Sequence, residues 1–194
     1  MTSALMQRFP DAAWIDASAL VYGNVTIGEG ASLWPGVVIR AEALSVTIGR
    51  FANLQDQVMV HIGYGTPTAI GDYASITHRV VLHGCTIGEN CLIGIGATIM
   101  DGAVIGANSI VAGHSFVKEG QVIPPNSIVM GTPAKVVRTA DNFVANRLNA
   151  WLYYRNARAY AEGNHRAWTG PEFEAARAAE RARLEALRAG GRPI

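Results

Sequence analysis

The chain has 194 residues, which fits one ordinary domain with an appendage, and it is 49% hydrophobic and only 16% charged. Its net charge of +1 argues against nucleic acid or an anionic membrane as a partner. The start of the chain lacks the apolar core of a signal peptide, no apolar run is long enough for a membrane span, and two cysteines do not make a secreted disulfide framework. We therefore expect a soluble, cytoplasmic protein with a large core.

A period of six residues dominates the first two thirds of the chain. At nearly every repeat, a large aliphatic residue is preceded two positions earlier by a small or β-branched one. Because side chains alternate along a strand, both members of a pair point to the same side, and the pattern predicts a solenoid of short parallel strands. The 19 predicted inward aliphatic positions are Ile15, Val21, Ile27, Leu33, Ile39, Ile48, Leu54, Val60, Ile70, Ile76, Val81, Ile87, Ile93, Ile99, Ile105, Val111, Val117, Ile123 and Val129.

Three irregularities interrupt this count. The step after Ile39 is nine residues long, which implies a bulge near Arg40–Glu42, and the step after Val60 is ten, which implies a bulge within 63–67. The step after Ile76 is only five residues long. Loops that leave a solenoid commonly gather on one side and carry function, so these places are the first to search for a site.

The repeat also predicts the positions of two cysteines and several glycines. Cys85 and Cys91 fall in the small inward column, which predicts buried packing thiols rather than metal ligands. Glycine directly follows the aliphatic residue in several rungs, where we expect a corner with positive φ. These glycines are Gly28, Gly49, Gly71, Gly88, Gly94 and Gly106.

The repeat ends after Val129, and the rest of the chain has helical patterning. A first helix is predicted to end near Glu162 and a second one at Gly190. We therefore divide the chain into a β-solenoid domain, residues 1–135, and a helical extension, residues 136–194.

Three of the five histidines, His61, His78 and His83, lie among the irregularities. Three rungs after Val60 the chain returns to the same face, so His61 and His83 are expected one coil apart, at roughly the 4.8 Å strand spacing. That spacing suits two imidazoles on one metal ion. His78 points to a different edge, but in a threefold trimer it can meet His61 and His83 of the next subunit. The simpler alternative is three separate surface histidines.

With these histidines and the polar residues around them, the sequence resembles the gamma-class carbonic anhydrase family over roughly residues 10 to 138. The resemblance rests on Arg40–Glu42, Asn53–Asp56, His61, His78 and Leu82–Cys85. It implies a left-handed parallel β-helix with three rungs per coil, and therefore about six coils, followed by C-terminal helices. It also implies a homotrimer with metal sites between subunits.

The resemblance further implies reversible hydration of CO2 to bicarbonate. His61, His78 and His83 would bind zinc, or iron or cobalt as in some members, and Gln55 would orient the metal-bound hydroxide. Arg40 and Asp56 would pair across the subunit interface, and Asn53 would support the pocket. An Arg40–Asp56 pair that only stabilises the trimer is the structural alternative for those two residues.

The sequence departs from the family pattern in its loops. The short bulges lack the acidic loops of the family's prototype, so fast turnover does not follow from the resemblance.

Two alternative functions stay open. One is a hexapeptide-repeat acyltransferase with His114 as general base, or a CoA thioester hydrolase that uses the same metal. The other is a non-catalytic, metal-binding trimeric scaffold. Tyr153, Tyr154 or Tyr160 of the first helix is a candidate to border the site.

Overall fold

The predicted fold class is confirmed. A computed structural model describes residues 4–191 and shows a parallel β-solenoid of about six coils followed by two helices. The left hand of the coil stays a prediction. Among the residues described, no helix is both long and apolar enough to cross a membrane.

The first face of the solenoid is an eight-stranded sheet. Successive parallel strands pair in register, Ile15 with Leu33 and Leu33 with Leu54, while the last strand returns antiparallel to its neighbour. In sheet order the strands are β1 (Trp14–Ile15), β3 (Ser32–Leu33), β5 (Asn53–Leu54), β8 (Ser75–Ile76), β11 (Leu92–Ile93), β14 (Ile110–Val111), β17 (Ser127–Gly131) and β18 (Ala134–Thr139).

The second and third faces share one sheet, because β2 (Leu20–Ile27) and β4 (Val38–Ile48) bend through the corner between them. The remaining strands of the second face are β6 (Met59–His61), β9 (Val81–His83), β12 (Thr98–Ile99) and β15 (Phe116–Val117). Those of the third face are β7 (Thr68–Ile70), β10 (Thr86–Ile87), β13 (Val104–Ile105) and β16 (Val122–Ile123).

The core is one continuous stack of aliphatic side chains inside the coils. Leu33, Leu54 and Ile76 occupy the same position in successive coils of the first face, and all three are fully buried. Burial of each such side chain contributes about 1.5–3 kcal/mol. The stack therefore fixes the height of every coil and, with it, the height of every outward side chain.

One predicted inward position is wrong. Val81 is only half-buried, whereas its neighbours Val80 and Leu82 are fully buried, and Leu82 pairs with Val60 of the previous coil. Because these three consecutive residues are all apolar, the sequence pattern cannot tell which of them point inward. The pairing of β9 with β6 determines the inward positions. The five-residue step therefore lies between Leu82 and Ile87, not after Ile76.

Both predicted bulges are confirmed. Opposite β2, strand β4 carries three extra residues, because Gly23 pairs with Ala41 while the next residue, Asn24, pairs with Ser45. The second bulge leaves the solenoid between β6 and β7, and the N–H of Gly63 closes it by donating to the carbonyl of Thr66 at 2.8 Å.

The expected role of the glycines that follow the aliphatic residues is also wrong. The left-handed conformation occurs three residues after the aliphatic position, for example at Gly96 (φ 67°) and Asn108 (φ 61°). Gly94, which directly follows Ile93, is required for another reason. A Cβ there would lie 2.5 Å from the backbone nitrogen of Gly113, so only glycine lets two coils approach this closely.

Within residues 4–191, three helices complete the fold: α1 (Ala4–Arg8), α2 (Phe143–Ala161) and α3 (Pro171–Ala189). The sequence pattern missed the short α1. Helix α2 packs on the first face, and α3 packs on α2. The boundary drawn at residue 135 falls within β18, which still belongs to the solenoid sheet. The division into two domains stays a prediction.

Asp141 fixes the start of α2 and ties α3 to it. Its carboxylate accepts a hydrogen bond from the backbone N–H of Phe143 at 3.0 Å and another from Nε of Arg188 at 2.6 Å. The two helices are thereby held together at one end by a side chain that lies just beyond the solenoid.

The two thiols are expected to be chemically inert in the folded protein. Cys85 and Cys91 are buried as predicted, and burial raises the pKa of each thiol to about 12. Because the thiolate is the reactive form, neither should be alkylated by iodoacetamide at pH 8. Mass spectrometry is expected to find no adduct on native protein and two adducts after unfolding in guanidinium. Rapid modification of native protein would contradict the buried positions.

Candidate metal centre

His61 and His83 lie one above the other on the outside of the second face, with their rings tilted by 59°. Each follows an inward aliphatic residue, Val60 and Leu82, and the two histidines are cross-strand partners in β6 and β9. Nδ1 of His61 lies 3.1 Å from Nε2 of His83. The corrected register therefore gives the two histidines equivalent positions in neighbouring coils.

A carboxylate that the sequence did not suggest orients His83. Asp101 Oδ1 lies 2.7 Å from Nδ1 of His83. When Nδ1 donates this hydrogen bond, Nε2 carries the lone pair, and Nε2 is the atom that faces His61. Asp101 follows His83 by 18 residues, about one coil, so counting one coil onward from each histidine would have found it.

Glu42, in the first bulge, contacts the other histidine. Its carboxylate lies 3.1 Å from Nε2 of His61 and 2.5 Å from Nη1 of Arg40. A hydrogen bond from its own backbone N–H lowers the pKa of this exposed carboxyl, and the contacts with His61 and Arg40 act in the same direction. Glu42 is therefore ionised at neutral pH and holds both side chains.

His78 lies at the corner between the first and second faces, paired with Asp56. Leu54 and Ile76 are register partners, and Asp56 and His78 each follow them by two residues. Nδ1 of His78 lies 2.8 Å from Oδ2 of Asp56. Within one subunit Asp56 thus pairs with His78 rather than with Arg40, and the Arg40–Asp56 pair between subunits stays a prediction.

Gln55 and Asn53 are buried and belong to one chain of hydrogen bonds. The Gln55 amide donates to Oδ1 of Asn53 at 3.0 Å, and the Asn53 amide donates to Oγ of Ser75 at 2.9 Å. The Asn149 amide, from α2, donates to the same hydroxyl at 2.8 Å. Helix α2 therefore helps to fix the residues next to Asp56, a link that sequence patterns did not show.

The three histidines do not meet within one subunit. Over residues 4–191, no group of three or more His, Cys, Asp or Glu side chains lies close enough to hold a metal ion. His61 and His83 face outward from the second face, whereas His78 lies at the corner. A site with all three histidines would need two subunits.

The donor set nonetheless fits a divalent transition metal. Two imidazole nitrogens at about 2.0–2.1 Å from one tetrahedral zinc ion are roughly 3.3 Å apart, and those of His61 and His83 are 3.1 Å apart. Asp101 and Asp56 each accept from Nδ1 of a histidine, an arrangement that commonly orients metal-binding imidazoles. In His83 and His78 it leaves Nε2 free to bind a metal.

Two of the three candidate tyrosines lie beside His78. Tyr153 and Tyr160, on α2, line a cavity of about 430 Å³ that Asp56 and His78 also line. Tyr154 instead packs edge-on against Phe51. Burial raises the pKa of Tyr153 to about 12, so its hydroxyl is protonated at neutral pH.

His114 has no comparable surroundings. It is exposed at a turn with a φ of 56°, and within residues 4–191 its ring forms neither an ion pair nor a hydrogen bond. A general base usually needs a group that orients it, and His114 lacks one here.

Comparison with known proteins gives one family model that matches part of the chain. The model described as "Bacterial transferase hexapeptide (six repeats)" matches residues 11–41 and 84–119. The unmatched stretch between these two ranges contains both bulges as well as His61, His78 and His83.

The most similar curated proteins include an archaeal and a plant protein. The chain is 48% identical over 143 residues to the "Probable carbonic anhydrase" of Methanocaldococcus jannaschii, with 73% of this chain and 90% of that protein covered. It is 35% identical over 171 residues to "Gamma carbonic anhydrase 2, mitochondrial" of Arabidopsis thaliana, which covers 84% of this chain and 62% of that protein. The chain thus spans less than two thirds of the plant protein.

Among solved structures, a hexapeptide transferase family protein from Anaplasma phagocytophilum matches with a TM-score of 0.69 and 31% identity, covering 76% of this chain and 92% of that one. The solenoid is therefore shared with a protein described as a hexapeptide transferase. Identity of 48% across most of the archaeal protein shows that this chain belongs to the gamma-class carbonic anhydrase family of hexapeptide-repeat proteins.

Proposed function

We propose that the protein is a metal-dependent carbonic anhydrase that interconverts CO2 and bicarbonate at sites between the subunits of a homotrimer. The observation that carries the proposal is the pair of facing nitrogens of His61 and His83, with Asp101 fixing the tautomer of His83. His78 of a neighbouring subunit would supply the third nitrogen. Zinc is the proposed metal, with iron or cobalt as alternatives, and a cytoplasmic location remains a prediction of the sequence.

The outer surface of the second face supports association into a trimer. One register column beside the two histidines is almost wholly apolar, and Leu20 and Phe116 at its ends are 46% and 36% exposed. A second copy that covers this column would bury apolar area and bring its own corner, with His78, near His61 and His83. The column consists of Leu20, Val38, Met59, Val81, Thr98 and Phe116.

The chain's own residues prepare the site for this reaction. Zinc held by three imidazoles lowers the pKa of water to about 7, which supplies a nucleophile for CO2 at neutral pH. Asp101 and Asp56 hold the Nδ1 protons of His83 and His78 and so keep the opposite nitrogens free. Glu42 contacts His61, and its lowered pKa keeps it ionised at neutral pH.

Stopped-flow CO2 hydration tests the proposal directly. The wild-type protein is expected to exceed the buffer rate, and His61→Ala is expected to fall to that rate because the site loses a nitrogen ligand. His114→Ala is the matched control, since it removes an exposed histidine outside the site, and it should keep wild-type activity. Equal rates for wild type and His61→Ala would favour a metal-binding scaffold.

The same variants distinguish CO2 hydration from the two CoA-dependent alternatives, acyl transfer and thioester hydrolysis. A CoA-dependent acyl transfer that survives in His61→Ala and disappears in His114→Ala would establish the acyltransferase instead. Loss of CoA-thioester hydrolysis in His61→Ala, without any CO2 hydration in the wild type, would assign the metal to a thioester hydrolase. Metal analysis of anaerobic and aerobic preparations distinguishes zinc from iron.

Removal of the Asp101 carboxylate is expected to weaken metal binding. Loss of a partner that hydrogen-bonds a metal-binding histidine typically lowers metal affinity by about 10- to 100-fold, and Asp101→Ala should fall in that range. Competition with a chromogenic chelator measures the change. Asp72→Ala, which removes a carboxylate that pairs with Arg50 elsewhere on the solenoid, is the control and should leave the affinity unchanged. Equal affinities for Asp101→Ala and wild type would contradict the role of Asp101.

A further inference from the structure

The cavity of about 430 Å³ beside His78 and Asp56 is larger than CO2 requires. Pockets for small organic molecules typically measure about 300–1,000 Å³. We propose that this cavity, which we call the α2 pocket, binds an aromatic carboxylate. It lies between the corner that carries His78 and the chain from Tyr153 to Thr169, so an occupant would lie next to the proposed metal centre.

Four aromatic rings form the apolar wall of the α2 pocket: Trp34, Tyr153, Tyr160 and Trp168. The rings pack against one another. Their centroids are 5.4 Å apart for Trp34 and Tyr153, 4.9 Å apart for Trp34 and Tyr160, and 5.3 Å apart for Tyr153 and Trp168. Each ring is braced by another at a steep angle, which holds the wall in shape. Rigid ring faces and edges suit a flat apolar ligand body, because aromatic groups pack well both offset and edge-on.

One amide in the wall forms no hydrogen bond within the protein. Asn156 lines the α2 pocket with only 9% of its surface exposed, and its side chain forms no hydrogen bond with any residue from 4 to 191. The amide is not among the fully buried unpaired polar atoms of residues 4–191, so it opens onto the α2 pocket. It can therefore donate to or accept from a polar group of a ligand, which suits an occupant that is not wholly apolar.

The α2 pocket also has a free cation. Arg166 lines it, and across the described part of the chain its guanidinium forms no ion pair and no hydrogen bond. Asp56, the carboxylate among the described lining residues, is engaged by His78 at 2.8 Å rather than by Arg166. A guanidinium binds a carboxylate through two parallel hydrogen bonds, so Arg166 provides the group that selects an anionic ligand.

Together the rings, Asn156 and Arg166 specify a planar apolar body that bears a carboxylate. No residue of this argument depends on a bound metal, so the inference goes beyond the proposed function and can fail independently of it. If the α2 pocket proves empty while CO2 hydration is observed, only this inference falls.

Isothermal titration calorimetry of the full-length protein with naphthoate tests the inference, with the neutral amide, naphthamide, as the comparison ligand. Wild-type protein should bind naphthoate with a Kd below about 1 mM and naphthamide about 10-fold or more weakly. Arg166→Gln should weaken naphthoate binding by about 10- to 100-fold, the range expected for charge-assisted hydrogen bonds. It should leave naphthamide binding unchanged.

Arg181→Gln is the matched control, since Arg181 is an exposed arginine of α3 that does not line the α2 pocket. It should keep wild-type affinity for both ligands, and thermal melting of both variants should show that each remains folded. Three results would overturn the inference: no saturable binding of naphthoate to wild type, equal affinity for the acid and the amide, or an equal loss in Arg181→Gln and Arg166→Gln.

Discussion

His83→Ala is expected to bind metal more than about 100-fold more weakly than wild type. Removing a group that merely hydrogen-bonds a metal-binding histidine already costs about 10- to 100-fold, and His83 is proposed to supply a ligand nitrogen itself. Nε2 of His83 faces Nδ1 of His61 at 3.1 Å, so the substitution also leaves His61 without its neighbour. Inductively coupled plasma mass spectrometry after gel filtration should find about one metal per wild-type chain and nearly none in the variant.

His114→Ala is the control for this measurement. His114 is an exposed histidine whose ring forms neither an ion pair nor a hydrogen bond within residues 4–191, and it belongs to neither histidine pair of the proposed site. It should retain the wild-type metal content. Full metal content in His83→Ala would show that the facing imidazoles are a surface contact rather than a metal centre.

Gly94→Ala is expected to destabilise the solenoid by about 3 kcal/mol or more, at the upper end of the cost of overpacking. An added Cβ would lie 2.5 Å from the nitrogen of Gly113 and 2.7 Å from the carbonyl oxygen of Val111, both in the next coil. Backbone atoms cannot rotate away as a side chain does, so the two coils must separate. Guanidinium unfolding followed by circular dichroism measures the change in the free energy of unfolding.

Gly65→Ala provides the matched comparison for Gly94→Ala. A Cβ at Gly65, in the second bulge, would have no atom within 4 Å, so this substitution should change stability by only a few tenths of a kcal/mol. Similar stabilities of the two variants would show that close approach between coils does not explain the glycines that follow the aliphatic residues.

The sequence was sufficient to predict the solenoid, because a two-residue inward pair repeated every six residues leaves few other folds. It was insufficient wherever neighbouring residues were chemically alike. Val80, Val81 and Leu82 are all apolar, and only pairing with the previous coil selects Val80 and Leu82 for the interior. The positions that need positive φ also escaped the pattern, since glycine, asparagine and histidine all occupy them.

Prediction of the site was limited in a different way. Repetition along the chain predicted that His61 and His83 are neighbours, and in the structure Nδ1 of His61 lies 3.1 Å from Nε2 of His83. The partners that orient the histidines follow no local motif. Asp101 reaches His83 from the next coil, and Asn149 reaches Ser75 from a helix 74 residues away. Contacts of this kind depend on side-chain direction and on helix packing, which spacing in the sequence does not specify.

The most direct test of a shared site uses mixed trimers of two inactive variants. His83→Ala and His78→Ala chains with different affinity tags are co-expressed, and trimers that contain both are isolated. In a cyclic trimer, an intact His61–His83 pair then meets an intact His78 at one of the three interfaces. Native mass spectrometry should show no metal in either variant alone and one metal ion in each mixed trimer. Mixed trimers without metal, or a monomeric protein, would contradict a metal centre built from two subunits.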